Sequence, residues 1–313
     1  MSYRQTVEPH HRLMYSDNIQ MMAQQMQNPL RAAVTIVSAE GEAQSMADLL
    51  DRVEYEEGED YSQRNPQNVP NHHRRWLVRP TVIQSGQLIT KEEKFDKAMD
   101  PTSKLNETHV KAVERGVFDR ILGVKRKAGG GYEIGGGGIL GSVVEGKTPG
   151  AGTALPAGNY IAHNGAGDDT RLNAEKLRMA TEAMELEDFG LETEDEIYGL
   201  ITPKQKTDLI NLALATKTSL NPFDVEQIRQ GKPGQLLGIN WLFTNRLPTD
   251  SNGYRLIPLW SKANIVCGMW QDVEGDIFND SSKRNQPQIL VDAYPAAGRI
   301  EDAGVRVIRC SEA

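Results

Sequence analysis

Cysteine is almost missing. Cys267 and Cys310 are the two in 313 residues, which excludes a disulfide framework and a four-cysteine zinc site. Aromatics make up 6% of the chain, and no apolar run approaches the roughly 18 residues of a membrane-spanning helix. The opening MSYRQTVEPHHR has no apolar core of the signal-peptide kind. These absences speak for a soluble chain made inside the cell, with no membrane partner. A surplus of positive charge is lacking too: 35 Lys and Arg against 43 Asp and Glu leave a net charge of −8. That argues against a protein whose main task is to grip nucleic acid, which needs a basic face to displace counterions. The 29 Gly and 15 Pro are too few for a collagen-like or low-complexity chain. The length suffices for a sizeable core and about two domains.

What is present is unevenly distributed. Between Arg178 and Lys204 lie eight acids and no base, Glu182, Glu185, Glu187, Asp188, Glu192, Glu194, Asp195 and Glu196, which read as a solvated face. Residues 1–70 are polar and weakly periodic, with a short helix expected from Met46 to Val53. A segment of that composition cannot bury enough surface to fold alone, so it reads as an extended arm lying on something else. Its acidic run at 54–60 is followed by a basic one at 72–79. Residues 76–90 are β-rich on either side of Ser85-Gly86, a hairpin signal. Pro80 confines such a ribbon to an edge or a protrusion, and an isolated ribbon needs a partner surface.

Asp100-Pro101 opens a helix to Leu122, stopped by Gly123, with Val110, Val113, Val117 and Ile121 on one stripe and Glu107 four residues before Lys111. Residues 128–159 are dense in glycine, which opposes a regular helix and predicts loops with short strands. Asn173 predicts a helix start, with Leu172 and Leu177 placed for a hydrophobic staple and Gly190 for the stop. Leu177, Ala180 and Met184 form one apolar row of that helix, and Met179, Ala183 and Leu186 the next. Ile197–Ile201 reads as a strand entering a capping box, Thr202-Pro203-Lys204-Gln205, and a helix to Ala215. Strands are expected at 236–244, 254–260, 263–270, 288–294 and 305–310, with a turn at Asn252-Gly253. Helices in the middle and strands after them predict an α+β protein rather than a βαβ array.

Several motifs tempt and fail. Gly141 to Thr148 spells a phosphate-binding P-loop, but Pro149-Gly150-Ala151-Gly152 leaves no helix N-terminus to meet a phosphate, and Glu145 adds the wrong charge. Gly136 to Gly141 fits a dinucleotide fingerprint by letters without the βαβ unit. The pairs His10-His11 and His72-His73 diverge instead of converging on a metal, and no G-x-S-x-G elbow marks a nucleophile. The residues therefore point to no catalytic centre, cofactor or metal.

The order of parts carries more. A polar arm, a protruding ribbon, a Gly-rich region, an amphipathic helix, a mixed segment and returning strands together resemble the major capsid protein of tailed bacteriophages, with the Hong Kong 97-type fold. Leu172–Leu177 resembles the start of the spine helix and Glu196–Gln205 the entry into the axial (A) domain. Gly238–Pro248 resembles a later part of that domain. Ala263–Met269 and Gly298-Arg299 through Val305–Ile308 resemble the return into the peripheral (P) domain. The likeness runs over residues 70–310 in order.

The resemblance implies an α+β Hong Kong 97-type subunit. Its parts would be an N-terminal arm at 1–70 and an extended β-hairpin loop at 71–100. A peripheral domain would follow at 101–195, with its spine helix at 174–189, then an axial domain at 196–262. Residues 263–313 would hold the axial remainder and the peripheral return strands. The implied function is a structural, non-enzymatic subunit, without cofactor, that assembles into the icosahedral shell around a tailed phage's double-stranded DNA. Its partners would be itself, as pentamers and hexamers, with scaffolding, portal and decoration proteins, and DNA held without sequence specificity. The implied place is the virion capsid, after synthesis in the host cytoplasm. Contacts between subunits are expected at Glu54, Glu56 and Glu57, at Arg74, Arg75, Trp76 and Arg79, and at Lys91 and Lys94. The alternatives are an encapsulin-like cellular nanocompartment, which shares the fold, and a P-loop nucleotide-binding enzyme.

Overall fold

The computed structural model describes residues 28–50, 53, 55, 68–89, 102–165, 171–190, 195–215, 235–236 and 238–312. Their described parts fall into two compact units. The smaller holds residues 81–89, 102–117 and 271–294 with Asn28, and the larger holds 29–80, 118–270 and 295–312. This division crosses the boundaries expected from sequence at 70/71, 100/101 and 262/263.

The larger unit is built on a six-stranded mixed sheet. Its strands are, in spatial order, β11 (Gln235–Leu236), β12 (Ile239–Phe243), β10 (Ile197–Ile201), β13 (Arg255–Ser261), β16 (Val305–Cys310) and β9 (Tyr160–Ile161). β10 pairs parallel with β12, from Ile197↔Ile239 to Ile201↔Phe243, and antiparallel with β13. β13 pairs antiparallel with β16 over six residues, and β16 parallel with β9. The central strands are mostly apolar, as strands covered on both faces are. Leu200, Ile201, Ile257, Leu259, Trp260, Val305, Val307 and Ile308 are all inaccessible to solvent. One helix (Ala174–Glu185, α2 below) packs on β16 and β9, and another (Pro203–Ala215, α3) packs on β10.

The caps of these two helices are as expected. The Asn173 side chain accepts from the backbone N–H of Lys176 at 2.9 Å, with Leu172 and Leu177 both buried. The Gln205 carbonyl accepts from the backbone N–H of Thr202 at 3.2 Å and from the Thr202 hydroxyl. The end of α2 differs from expectation. Regular helix stops at Glu185, and turns carry the chain to Gly190, so Leu186 is left exposed. With no helical turn after it, Leu186 has no row to join.

The longest helix among the described residues, α1 (Thr102–Leu122), buries Val113, Val117, Phe118, Ile121 and Leu122, and its Lys111 and Glu107 meet at 2.6 Å. Gly123, at φ +80°, ends it. The glycine-dense stretch that follows holds β5 (Val124–Arg126), β6 (Tyr132–Ile134), β7 (Val143–Glu145) and β8 (Gly152–Thr153). Between β6 and β7 it returns beneath the helix end. The N–H groups of Ile139 and Leu140 donate to the carbonyls of Ile121 and Leu122 at 2.9 and 3.0 Å. This satisfies acceptors that a helix terminus leaves open.

Two expectations fail here, while residues 29–50 of the expected arm pack within the larger unit: Leu30 and Ala33 are fully buried, and Trp260 donates its indole N–H to the Ala33 carbonyl at 2.9 Å. Residues 35–38 form β1, parallel to the start of β14 (Ile265–Asp280). The helix expected from Met46 is a strand, β2 (Ala43–Leu50), because pairing with β3 (His72–Val78) overrides local propensity. Ser85-Gly86 is no turn. It lies inside β4 (Ile83–Leu88), which pairs antiparallel with β15 (Gln286–Arg299) in the smaller unit. A Cβ on Gly86 would stand 2.7 Å from the Ile289 carbonyl, so the glycine answers a close approach.

Gly138 is the tightest point under the end of α1. It sits at φ +104°, and a Cβ there would stand 2.5 Å from the Ile121 carbonyl and 2.7 Å from that of Arg120. Gly138→Ala is expected to lower stability by about 2–4 kcal/mol, from positive-φ strain and the displaced loop. Thermal unfolding checks it, and an unchanged midpoint would show that the loop does not hold the helix end.

Candidate assembly surface

The ribbon β2–β3 is buried at one end and open at the other. Its register runs from Ala43↔Val78 to Leu50↔His72, with a bulge between Ser45 and Ala47. The bulge turns Met46 inward, where its sulfur would stand 3.1 Å from a Cβ on Gly298. Met46 and Leu77 join Val266 and Ala296 in a small core with Val37, Trp270 and Ile300. Burying the root side chains stabilises by about 1.5–3 kcal/mol each. The other end has no such cover. Leu50 is 59% exposed, Val53 51%, Tyr55 85% and Val69 83%. Apolar side chains grouped at the end of a ribbon are what a partner surface would remove from water.

The sequence-predicted contact residues divide by this geometry. Glu54, Glu56, Glu57, Lys91 and Lys94 lie outside the described residues. Arg74 is exposed and meets Asp48 across the ribbon, Nη2 to Oδ2 at 2.9 Å, over the Trp76 ring. The Arg74 hydrogen bond holds the Asp48 carboxyl below the usual carboxylate range. Arg75 corrects the expectation. It is buried within its own chain, donating to Asp302 at 2.9 Å and to the Arg299 carbonyl at 3.2 Å. Trp76 is half-buried and donates to the Gly146 carbonyl at 2.9 Å, while Arg79 is exposed, its backbone N–H on the Glu42 carbonyl. Arg74 and Arg75 therefore have partners inside the subunit.

β3 also carries β7 along its other edge, through Arg75↔Glu145 and Trp76↔Val144, and β8 lies beyond. The P-loop letters thus fall on a strand and the turn to the next one. Gly146 and Lys147 line an open cavity of about 600 Å³ with Asp48, His72, His73, Arg74 and Glu145.

Beneath the ribbon is a polar hub that sequence reasoning missed. Arg299 is inaccessible to solvent. Its Nη1 donates to the carbonyls of Gly138 (3.2 Å), Ile139 (3.0 Å) and Gly141 (2.5 Å), and its Nε to Asp302 Oδ1 at 2.9 Å. Asp302 thus joins two guanidinium groups, Arg75 and Arg299. Burial pushes Arg299 below its ordinary pKa against the pull of Asp302, yet a guanidinium stays charged in a protein. Asn159 donates to the carbonyls of Asp302 and Val305, and Asn264 to that of Glu301. Gly298-Arg299 was visible only as a patch of resemblance, since the partners of Arg299 lie some 160 residues away.

A second clamp closes at Glu312. Its carboxylate takes Arg255 in a two-pronged contact, both at 2.8 Å, with Gln205 at 3.2 Å, and its backbone carbonyl accepts from Lys204 at 2.9 Å. The Arg255 hydrogen bond leads the causes that hold the Glu312 carboxyl down at about 2. Among the described residues no group of three or more His, Cys, Asp or Glu gathers as for a metal ion.

Two expectations follow. Asp302→Ala leaves the buried Arg299 guanidinium without a carboxylate and Arg75 with only the longer contact to Glu145 at 3.7 Å; it should cost about 3–5 kcal/mol in chemical denaturation, and an equal midpoint would refute the hub's weight. Glu312 has a folded pKa below its unfolded value, so its contribution is complete above the ordinary carboxylate range and is lost as pH falls toward 2. Glu312→Gln should remove about 2 kcal/mol of that acid-dependent stability, read from unfolding midpoints against pH.

Comparison with known proteins agrees with this architecture. A family model described as phage capsid protein matches residues 7–312. The fold is similar to the capsid of cyanophage P-SCSP1u, with a TM-score of 0.66 at 11% identity, covering 96% of this chain and 93% of that one. It is similar to the capsid of Myoviridae phage XM1, at 0.65 and 11%, covering 97% and 99%. The capsid of a native GTA particle gives 0.63 and 13%, covering 96% and 95%. A search of curated protein sequences finds no match.

Proposed function

The chain belongs to the phage capsid protein family, and from that premise we propose how this subunit of a Hong Kong 97-type shell joins its neighbours. The β2–β3 ribbon is the loop that reaches over the next subunit, in place of the 71–100 segment expected from sequence. The observation that carries this is its uneven burial: a root packed around Leu77 and an end where Leu50, Val53, Tyr55 and Val69 face water. An axial domain on the six-stranded sheet and a peripheral domain on α1 with β14 and β15 complete the proposed division of the described residues.

The shell is icosahedral, made of pentamers and hexamers, and encloses double-stranded DNA without reading its sequence. Scaffolding, portal and decoration proteins are its proposed partners. The subunit is made in the host cytoplasm and takes no part in catalysis. The nanocompartment alternative is not favoured, since the matched family and the similar capsids cited above are those of phages and of a GTA particle.

Expressed full-length protein should form closed particles of uniform size under electron microscopy. Tyr55→Asp with Val69→Asp should abolish them while leaving the subunit's melting temperature unchanged. Normal particles from that variant would show that the ribbon end is not the docking element, and monomers from wild type at every concentration would overturn assembly itself.

A further inference from the structure

The larger unit carries a small cationic projection that its own fold leaves unused. After α1 the chain turns through the β5–β6 hairpin, with Val124↔Ile134, Lys125↔Glu133 and Arg126↔Tyr132 paired. The Lys127 N–H donates to the Gly131 carbonyl at 3.1 Å and the Gly130 N–H to the Lys127 carbonyl at 3.1 Å, which closes the tip. Lys125, Arg126 and Lys127 are all exposed, and Glu133 is the one carboxylate among residues 124–134. The stem of Lys125 lies along Gly135, where a Cβ would meet its Cδ at 2.6 Å. Packing the stem while the ammonium stays in water lowers the entropy lost when that charge is engaged. A hairpin holding three consecutive cations, in a chain of net charge −8, has no structural need of them.

The same unit carries the complement. On α2 and the turn after it, Glu182, Glu185, Glu187 and Asp188 are exposed with no base among residues 179–190. Glu182 feels Arg178, which is itself held by Glu175 at 2.6 Å, and Glu187 feels Arg306. Glu185 is exposed at the last helical position. Glu182 and Glu185, three apart on one helix face, present carboxylates about 5–6 Å apart at their β-carbons. Lys125 and Lys127, alternate residues of an extended chain, present ammonium stems about 6.5–7 Å apart on one side. The two spacings match well enough for each cation to meet its own carboxylate.

We propose that the β5–β6 hairpin of one subunit docks on the acidic end of α2 in a second copy of this chain. This rests on the shell reading above. Two different patches that complement each other across copies make a head-to-tail contact, the kind that generates rings. Nucleic acid fits the hairpin less well. Binding to phosphates grows with the number of charges neutralised, and three cations offset by Glu133 give little grip at physiological salt. A carboxylate pair repeated on every neighbour instead meets the hairpin at the high effective concentration of an assembled shell. Contacts of this exposed kind set orientation and partner choice more than affinity.

The test is reversal and restoration of charge in the full-length chain. Lys125→Glu with Lys127→Glu should raise the concentration needed for particle formation by about tenfold at physiological salt, through two like-charge contacts per interface. Glu182→Lys with Glu185→Lys should do the same, and the two pairs combined in one chain should restore wild-type assembly. Subunit melting temperatures should be unchanged throughout, which separates a docking defect from misfolding. High salt should weaken the wild type and partly restore each singly reversed pair, because it screens the attraction in one and the repulsion in the other. Assembly unaffected by either reversal, or no recovery in the combined variant, overturns the proposal while the shell reading stands. Normal empty shells that merely retain less nucleic acid after hairpin reversal overturn it in favour of a nucleic-acid contact. A wild type that forms no particles counts against the shell reading and removes the docking contact with it.

Discussion

A single half-buried carboxylate, Asp302, pairs with two arginines that are themselves buried, Arg75 and Arg299. Arg299 without it would be an isolated charge in a dry interior, a cost of several kcal/mol. With it, Arg299 gathers three carbonyls of a glycine-dense loop into one point. That loop in turn supplies the N–H groups which finish α1. Arg75 ties β3, and so the root of the ribbon, to the same carboxylate. A helix end, a loop with almost no side chains and a projecting ribbon thus take their positions from one ionic junction.

The junction explains the glycines at 138 and 141, where a Cβ would meet backbone carbonyls. Carbonyls converge on a guanidinium only where backbone can approach backbone, and Gly138 stands against the carbonyls of Arg120 and Ile121 where no side chain fits. Ordering such a loop costs about 1–2 kcal/mol per residue, more for glycine. Hydrogen bonds to a charged group, stronger than neutral ones, offset part of that. The ribbon follows the opposite rule. Its root is fixed by apolar packing, and the side chains described at its far end stand exposed.

What could be read from the sequence follows the range of the interaction responsible. The Asn173 cap, the Thr202 and Gln205 box, the Gly123 stop and the β13 and β16 strands depend on residues within a few positions, and each stands where the pattern put it. Met46 was misread as helical because its strand partner lies across a long connection, beyond any local window. Ser85-Gly86 carries the letters of a turn, yet a glycine allows close approach as readily as positive φ, and here Ile289 uses that room. Arg299 has one local partner, Asp302, but its carbonyl partners and the partners of Glu312 lie far along the chain, where no local pattern points to them. Arg75 is expected at a contact between subunits because it stands in a basic run, whereas within the chain Asp302 draws it inward.

The closing strand also has a temporal meaning. β16 is hydrogen-bonded on both sides, to β13 and to β9, and Asp302 lies just ahead of it. A growing polypeptide therefore cannot complete either the central sheet or the ionic junction until residues 302–310 have emerged from the ribosome. A fragment broken off earlier lacks the sheet's inner strand and the anchor of its glycine loop. A chain interrupted before that point also leaves Leu259 and Trp260 on the neighbouring strand without the partner that covers their edge.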